Sequence, residues 1–412
     1  MKFAIRYDAL QEAFFRQGWL LPAVLPLTQV GGRALSNTFA GVYALWGLLS
    51  LWSRRDRLNR TVTVLYLALL GVFLLGVPGS VDPVRGLRIW GEFAAQSLAL
   101  LLTQAALRES AAHPGRLFDA VALFGGLTLA GLYGLLPYYW LGGSGQPFSP
   151  ATQLKEDNLP FLLPFLLGWV WWRGGRRRYP AMAGIVAVTL AYVVISEGRA
   201  ALLGLIVSLA TFCWAVLNWR LRWIALFAGL VLTIGVVANI GPFRKSELDP
   251  DHPLDAFTAG RTILWRQALE HPPPRPWLGV GIGNGVHARE ILDFQIGDRR
   301  LEVRHLHNIL MDAWYETGIL GVGLLVALVG TVFGRLARDW PRLSVGDRQR
   351  AGVLLAAALA IITAGLLSFT YTSRQFACYF FVCLGGLIYL GQSHRDQAIP
   401  PPATGHTDQD RH

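Results

Sequence analysis

Apolar residues run through this chain in blocks that recur from end to end, each about 20 residues long, the length a helix needs to cross a bilayer. Within a block the polar residues do not return at every second position, so a sheet or a membrane barrel does not fit. The pattern predicts twelve spans, at 17–32, 36–52, 62–80, 87–107, 117–137, 158–172, 180–196, 199–217, 222–240, 307–333, 350–370 and 374–392. The first has a basic leader (Lys2, Arg6, Arg16) and a short apolar core, so a signal peptide is its competing reading. The expected fold is an all-α polytopic membrane protein of about twelve transmembrane helices. Its expected units are helices 1–9 over 1–240, a large outer loop over 241–306, helices 10–12 over 307–392 and a disordered tail over 393–412.

Composition agrees. The 412 residues are 53% hydrophobic and 15% charged, where a soluble domain carries about 25% charged residues. Basic residues gather on one side of the predicted spans, in "SRRDRLNR" (53–60), "RGGRRR" (173–178), "WRLR" (219–222) and "GRLARDWPRLSVGDRQR" (334–350). The opposite short loops hold few, among them Arg33, Arg85, Arg88, Lys155, Arg199 and Arg374. The rich side is therefore expected in the cytoplasm, with both termini. The net charge of +11 then reflects topology and anionic-lipid contact, not a nucleic-acid surface. Cys213, Cys378 and Cys383 all fall inside predicted spans and read as small apolar packers, with no metal or disulfide pattern.

Chemistry is expected on the outer face, where 241–306 is the one long polar segment. "GRTILWRQALE" begins as a helix there, and "HPPPRP" must end it because proline lacks the amide donor. "GVGIGNG" (279–285) follows, with glycine at every second position. It lacks the strand, helix and downstream acid of a dinucleotide fingerprint. Two readings stay open: a backbone pressed against another helix, or a backbone against an anionic ligand. "DPDHPLD" (249–255) reads as a solvated loop, its spacing being wrong for a calcium-binding loop.

Three basic positions stand out. Arg199 and Arg261 lie near helix starts, where the helix dipole disfavours a cation. A bound anion resolves that conflict; snorkelling to head groups or pairing with an acid such as Glu197 is the competing explanation. His307 opens the tenth span, and steps of three and four from it give Leu310, Met311, Trp314, Gly318 and Gly321 on one helical face. Glycines on that face let a neighbouring helix approach. The imidazole at its top is suited to take a proton from a hydroxyl, or is an ordinary interfacial histidine.

These residues resemble a family, the O-antigen ligases within the ligase/polymerase superfamily of polyprenyl-linked glycans. "HNILMDAWYETGILG" matches its signature of histidine, small polar residue and spaced Gly-x-x-Gly at His307, Asn308, Gly318 and Gly321. "GRTILW" with "PWLGVGIGN", and "RAALL" from Arg199, resemble further elements of the superfamily. The resemblance implies a GT-C-like membrane glycosyltransferase of the bacterial inner membrane with a periplasmic active site. Its donor is O-antigen polysaccharide on undecaprenyl pyrophosphate, its acceptor lipid A–core oligosaccharide, and it needs neither metal nor other cofactor. His307 is then the general base, Arg199 and Arg261 stabilise the departing pyrophosphate, and single displacement inverts C1. Arg88, Arg304, His305, Asn308 and Arg374 are the expected substrate-binding residues. The rivals are an O-antigen polymerase and a protein O-oligosaccharyltransferase. A transporter is the rival from another class, since Glu92, Asp119, Asp312 and Glu316 lie at or near membrane depth.

Overall fold

The computed structural model describes residues 55–109, 158–195, 198–217, 260–285, 293–296, 299–302, 305–373 and 375–397, with Thr258 and scattered positions between 9–51 and 115–127. The described helices are α1 (Arg60–Gly76), α2 (Pro83–Ser97), α3 (Ala99–Glu109), α4 (Leu159–Arg173), α5 (Arg178–Ile195), α6 (Arg199–Val216), α7 (Arg261–Glu270), α8 (Ile309–Asp339), α9 (Val345–Gly365) and α10 (Phe381–Gln397). A π-helical turn, Gln375–Phe380, leads into α10.

Most predicted spans coincide with these helices. The spans at 17–32 and 222–240 lie outside the described residues, as do much of 36–52 and 117–137. The span predicted at 87–107 is two helices, because the run breaks at Leu98 between α2 and α3. The helix of the last span continues to Gln397; the tail from 398 lies outside the described residues. The segment 241–306, expected as a loop with short helices, is not purely helical among its described residues. It contains an antiparallel hairpin, β1 (Asp293–Ile296) with β2 (Arg299–Glu302), in register Asp293 to Glu302. "DFQI" alternates polar and apolar residues while "RRLE" does not, so the two strands together show too little of the period of two that marks a strand.

Helix starts follow the local sequence. Asn59 caps α1 by accepting from Val62 N–H, and Asp82 caps α2 by accepting from Arg85 N–H, with Pro83 at the first helical position. Ser344 caps α9 through Asp347 N–H (3.1 Å) and donates back to its carboxylate (2.7 Å).

Two helices, Arg199–Val216 and Ile309–Arg342, are long and apolar enough by themselves to cross a membrane, and three shorter apolar helices accompany them. Among the described residues the secondary structure is helical apart from the hairpin, and these apolar helices suit a membrane protein. Small residues set its tightest contacts. A Cβ on Gly204 of α6 would lie 3.2 Å from Ala360 O of α9, and Gly352 of α9 faces Ala215 near the other end of α6. The two helices are therefore antiparallel and close. Carrying that register toward the α6 N-terminus brings Arg199 level with the end of α9, roughly at Gly365–Ser368 by the 1.5 Å rise per residue. An aromatic cluster of Tyr66, Phe73, Phe93, Phe380, Phe381 and Tyr371 ties α1 and α2 to α10 and to the turn that precedes it.

Candidate functional site

The centre of the site is a break in α8. Gly318 has φ 67° and ψ −171°, which a helix cannot contain and which only glycine adopts readily. The signature glycine therefore does not flatten a helical face for a neighbouring helix, as its spacing suggests. It opens the helix so that the loop after α7 can pair with it. Ile319 N–H donates to Pro276 O (2.9 Å) and Leu320 N–H to Trp277 O (3.3 Å). In the other direction Val280 N–H donates to Tyr315 O (3.1 Å) and Gly281 N–H to Glu316 O (2.8 Å). The two backbones touch: a Cβ on Gly279 would lie 2.6 Å from Thr317 N, and one on Gly318 2.5 Å from Leu278 N. Gly321 does meet a neighbouring helix, at 3.1 Å from Phe73 of α1.

The glycine run also wraps a carboxylate. Glu316 is buried, and its Oε2 accepts from Gly283 N–H (2.8 Å) and from Tyr371 O–H (2.7 Å), while Oε1 accepts from Gly285 N–H (3.1 Å). The loop's other side is fixed to the start of α2. Asn284, fully buried, accepts from Asp82 N–H (2.9 Å) and donates to Ile282 O (3.1 Å). Arg85 Nε donates to Gly283 O (2.7 Å). Packing against a helix is thus what this loop does, and the carboxyl group it holds is that of the protein's own Glu316. Desolvation holds the Tyr371 phenol well above its usual range, and the nearby Glu316 carboxylate adds to it, so Tyr371 stays a donor.

His307 does not belong to α8, which starts at Ile309. It stands two residues ahead, in the left-handed region at φ 55°. Its Nδ1 lies 2.8 Å from Ser368 O in the turn after α9. A carbonyl can only accept, so this bond assigns the proton to Nδ1 and makes Nε2 the basic nitrogen of the neutral ring. His307 N–H donates to Nδ1 of His305 (3.2 Å), and the two rings lie 4.0 Å apart centre to centre. Asn308 caps α8, accepting from Leu310 N–H (2.9 Å) and Met311 N–H (3.1 Å). Its carbonyl is thereby occupied, and a substrate contact would fall to its amide nitrogen.

The two helix-start arginines belong to different elements. Arg199 is the first residue of α6 and is buried, at 8% exposure. The α6–α9 register puts it beside the end of α9, and a Cβ on Gly365 there would lie 2.8 Å from Ile309 at the start of α8. Arg261 is the first residue of α7, behind Gly260 at φ 80°. One turn along α7, Trp265 Nε1 donates to Leu306 O (2.9 Å), beside His307. Leu264, Ala268, Val280, Leu306 and Tyr315 form a small core that holds α7 against the loop and α8. Arg88 is exposed on α2. Arg304 and Arg374 lie outside the described residues.

Sequence reading missed the polar framework. Asp312 and Glu316 entered it only as acids that suit an ion path. Both are buried within one turn of each other and engaged in the protein's own hydrogen bonds. Their i, i+4 spacing in an apolar helix was the available signal. Asn284, Arg85, Ser368 and Tyr371 had none, because their partners lie far away in the chain.

Comparison with known proteins bears on the same stretch. Residues 184–326 match the O-antigen ligase family model. Over 205 residues the chain is 26% identical to the O-antigen ligase of Salmonella typhimurium, covering 46% of this chain and 48% of that protein. Over 111 residues it is 36% identical to the exopolysaccharide production protein ExoQ of Rhizobium meliloti, covering 25% of this chain and 23% of that protein. The matches thus span at most about half the length of either relative.

Proposed function

We propose that the chain is a membrane protein of the O-antigen ligase type, and that it transfers O-antigen polysaccharide from undecaprenyl pyrophosphate to lipid A–core oligosaccharide at the periplasmic face of the inner membrane. What supports this reading is the His307 ring, its Nδ1 proton held by Ser368 O, together with Arg199 and Arg261 as the first residues of two separate helices. His307 Nε2 takes the proton of the acceptor hydroxyl. The acceptor oxygen attacks sugar C1 from the face opposite the pyrophosphate, the bond from C1 to the phosphate oxygen breaks, and C1 is inverted. Undecaprenyl pyrophosphate departs with the electron pair. Arg199 and Arg261, assisted by the N-termini of α6 and α7, stabilise that charge without a metal. Arg88, Arg304, His305, the Asn308 amide and Arg374 bind phosphates or sugars of the two lipids. The site opens outward from about twelve spans with both termini in the cytoplasm.

A second reading is chain extension, with another lipid-linked glycan as acceptor. The similarity to a protein named for exopolysaccharide production favours it. The purified protein, given donor, lipid A–core and EDTA, separates the two by product size. Glycan on lipid A–core supports the ligase. A lengthened donor with lipid A–core untouched supports the polymerase. Transfer that fails only when EDTA is present contradicts the metal-free mechanism.

A further inference from the structure

His307 sits in a backbone conformation that a side-chain-bearing residue adopts at a cost, so something must hold it. The peptide just before it is gripped on both edges. Leu306 N–H donates to Asp312 Oδ1 (2.8 Å), and Leu306 O accepts from Trp265 Nε1 (2.9 Å). Leu306 is itself buried in the small core between α7 and α8. Asp312 is buried at 3% exposure on the first turn of α8. Its other oxygen, Oδ2, is buried as well, and the Thr370 side chain also acts on this carboxyl group. Thr370 belongs to the same turn as Ser368, the residue whose carbonyl holds the imidazole. Asp312 therefore faces both supports of His307, the peptide behind it and the turn its ring docks on.

We infer that Asp312 is a positioning residue for His307, fixing the left-handed turn that aims Nε2, with Trp265 as the second jaw of the clamp. A burial role alone does not call for a carboxylate here. An apolar residue fills the space without the cost of burying a carboxyl group in the core. What the carboxylate supplies is an acceptor for Leu306 N–H. Through Trp265 the same peptide couples His307 to α7, whose first residue is Arg261, so one clamp sets the base and one arginine together. The inference rests on the transferase reading for its catalytic consequence, but the geometry it asserts does not.

The test uses the full-length protein in two readouts. In the transfer assay, Asp312→Ala is expected to lower kcat by about tenfold to a hundredfold with the donor KM unchanged, the effect of a loosened catalytic group. Asp312→Asn keeps the Leu306 acceptor and is expected to retain kcat within about threefold. Trp265→Phe keeps the ring and loses one hydrogen bond, and is expected to give an intermediate loss. The second readout needs no turnover. In protein carrying 15N-labelled histidine, the His307 ring is expected to show its proton on Nδ1 in the wild type and in Asp312→Asn, and a mixture of tautomers in Asp312→Ala. Wild-type ring spectra and kcat in Asp312→Ala overturn the inference and leave the transferase reading intact. Equal losses in Asp312→Ala and Asp312→Asn also overturn it, because the Leu306 acceptor is then not what matters. No transfer by any form, with the tautomer shift present, removes the transferase reading and keeps the clamp.

Discussion

Gly318→Ala is the substitution whose outcome the geometry fixes most tightly. A Cβ there would lie 2.5 Å from Leu278 N and closer still to the Trp277 carbonyl, which is backbone and cannot swing away. The φ of 67° with ψ −171° adds conformational strain, of the order of 1–3 kcal/mol for a residue other than glycine. Relief requires the loop to move, and four backbone hydrogen bonds cross from loop to helix at this point. Each contributes about 0.5–1.5 kcal/mol net. With about half of those bonds lost, the substitution is expected to cost about 2–6 kcal/mol. At about 2 °C per kcal/mol in a large chain, the midpoint of thermal unfolding in detergent falls by roughly 4–12 °C. Gly323 lies on the same helix with nothing within 4 Å of its Cβ position. Gly323→Ala is the control and is expected to match the wild type or exceed it, since alanine is the better helix former by up to about 1 kcal/mol. Gly318→Ala protein that unfolds at the wild-type temperature with full activity would refute the paired loop and broken helix.

Three further predictions concern the groups around that break. Glu316→Ala leaves Gly283 N–H, Gly285 N–H and Tyr371 O–H without their acceptor; it is expected to destabilise by about 3–5 kcal/mol, read in the same melt. Tyr371→Phe alone is expected to cost about 1–2 kcal/mol and to add almost nothing to Glu316→Ala, a coupling that a double-mutant cycle measures. Arg261→Lys keeps charge and loses the two-pronged guanidinium; a fall of about tenfold or more in kcat/KM for the donor is expected, and full activity would argue against a pyrophosphate clamp.

The sequence carried the described apolar helices well because the length of an apolar run is a local signal. It also placed Arg199 and Arg261 at helix starts, where the structure has them as the first residues of α6 and α7. It singled out His307 by spacing but put it inside the helix, one turn too regular. The left-handed turn depends on Asp312, Trp265 and Ser368, which converge from three elements. Gly318 shows the same limit. Its spacing from His307 and Gly321 is compatible with an unbroken helical face, and only the inserted 276–281 backbone makes it a break. The hairpin at 293–302 was hidden because two four-residue strands are too short to show a period against a polar loop. Glu316 looked like an ion-path acid because nothing in its own helix reveals three donors supplied from 283, 285 and 371.

The central claim is that His307 accepts the proton of the attacking hydroxyl while lipid pyrophosphate leaves. Its most direct test is a single-turnover reaction on purified protein, counting undecaprenyl pyrophosphate released and glycan newly bonded to lipid A–core. One of each per turnover is expected for the wild type, and a rate lower by about 10²–10⁴ for His307→Ala with donor binding preserved. Equal rates for the two proteins, or lipid pyrophosphate released without a new bond to lipid A–core, would contradict it.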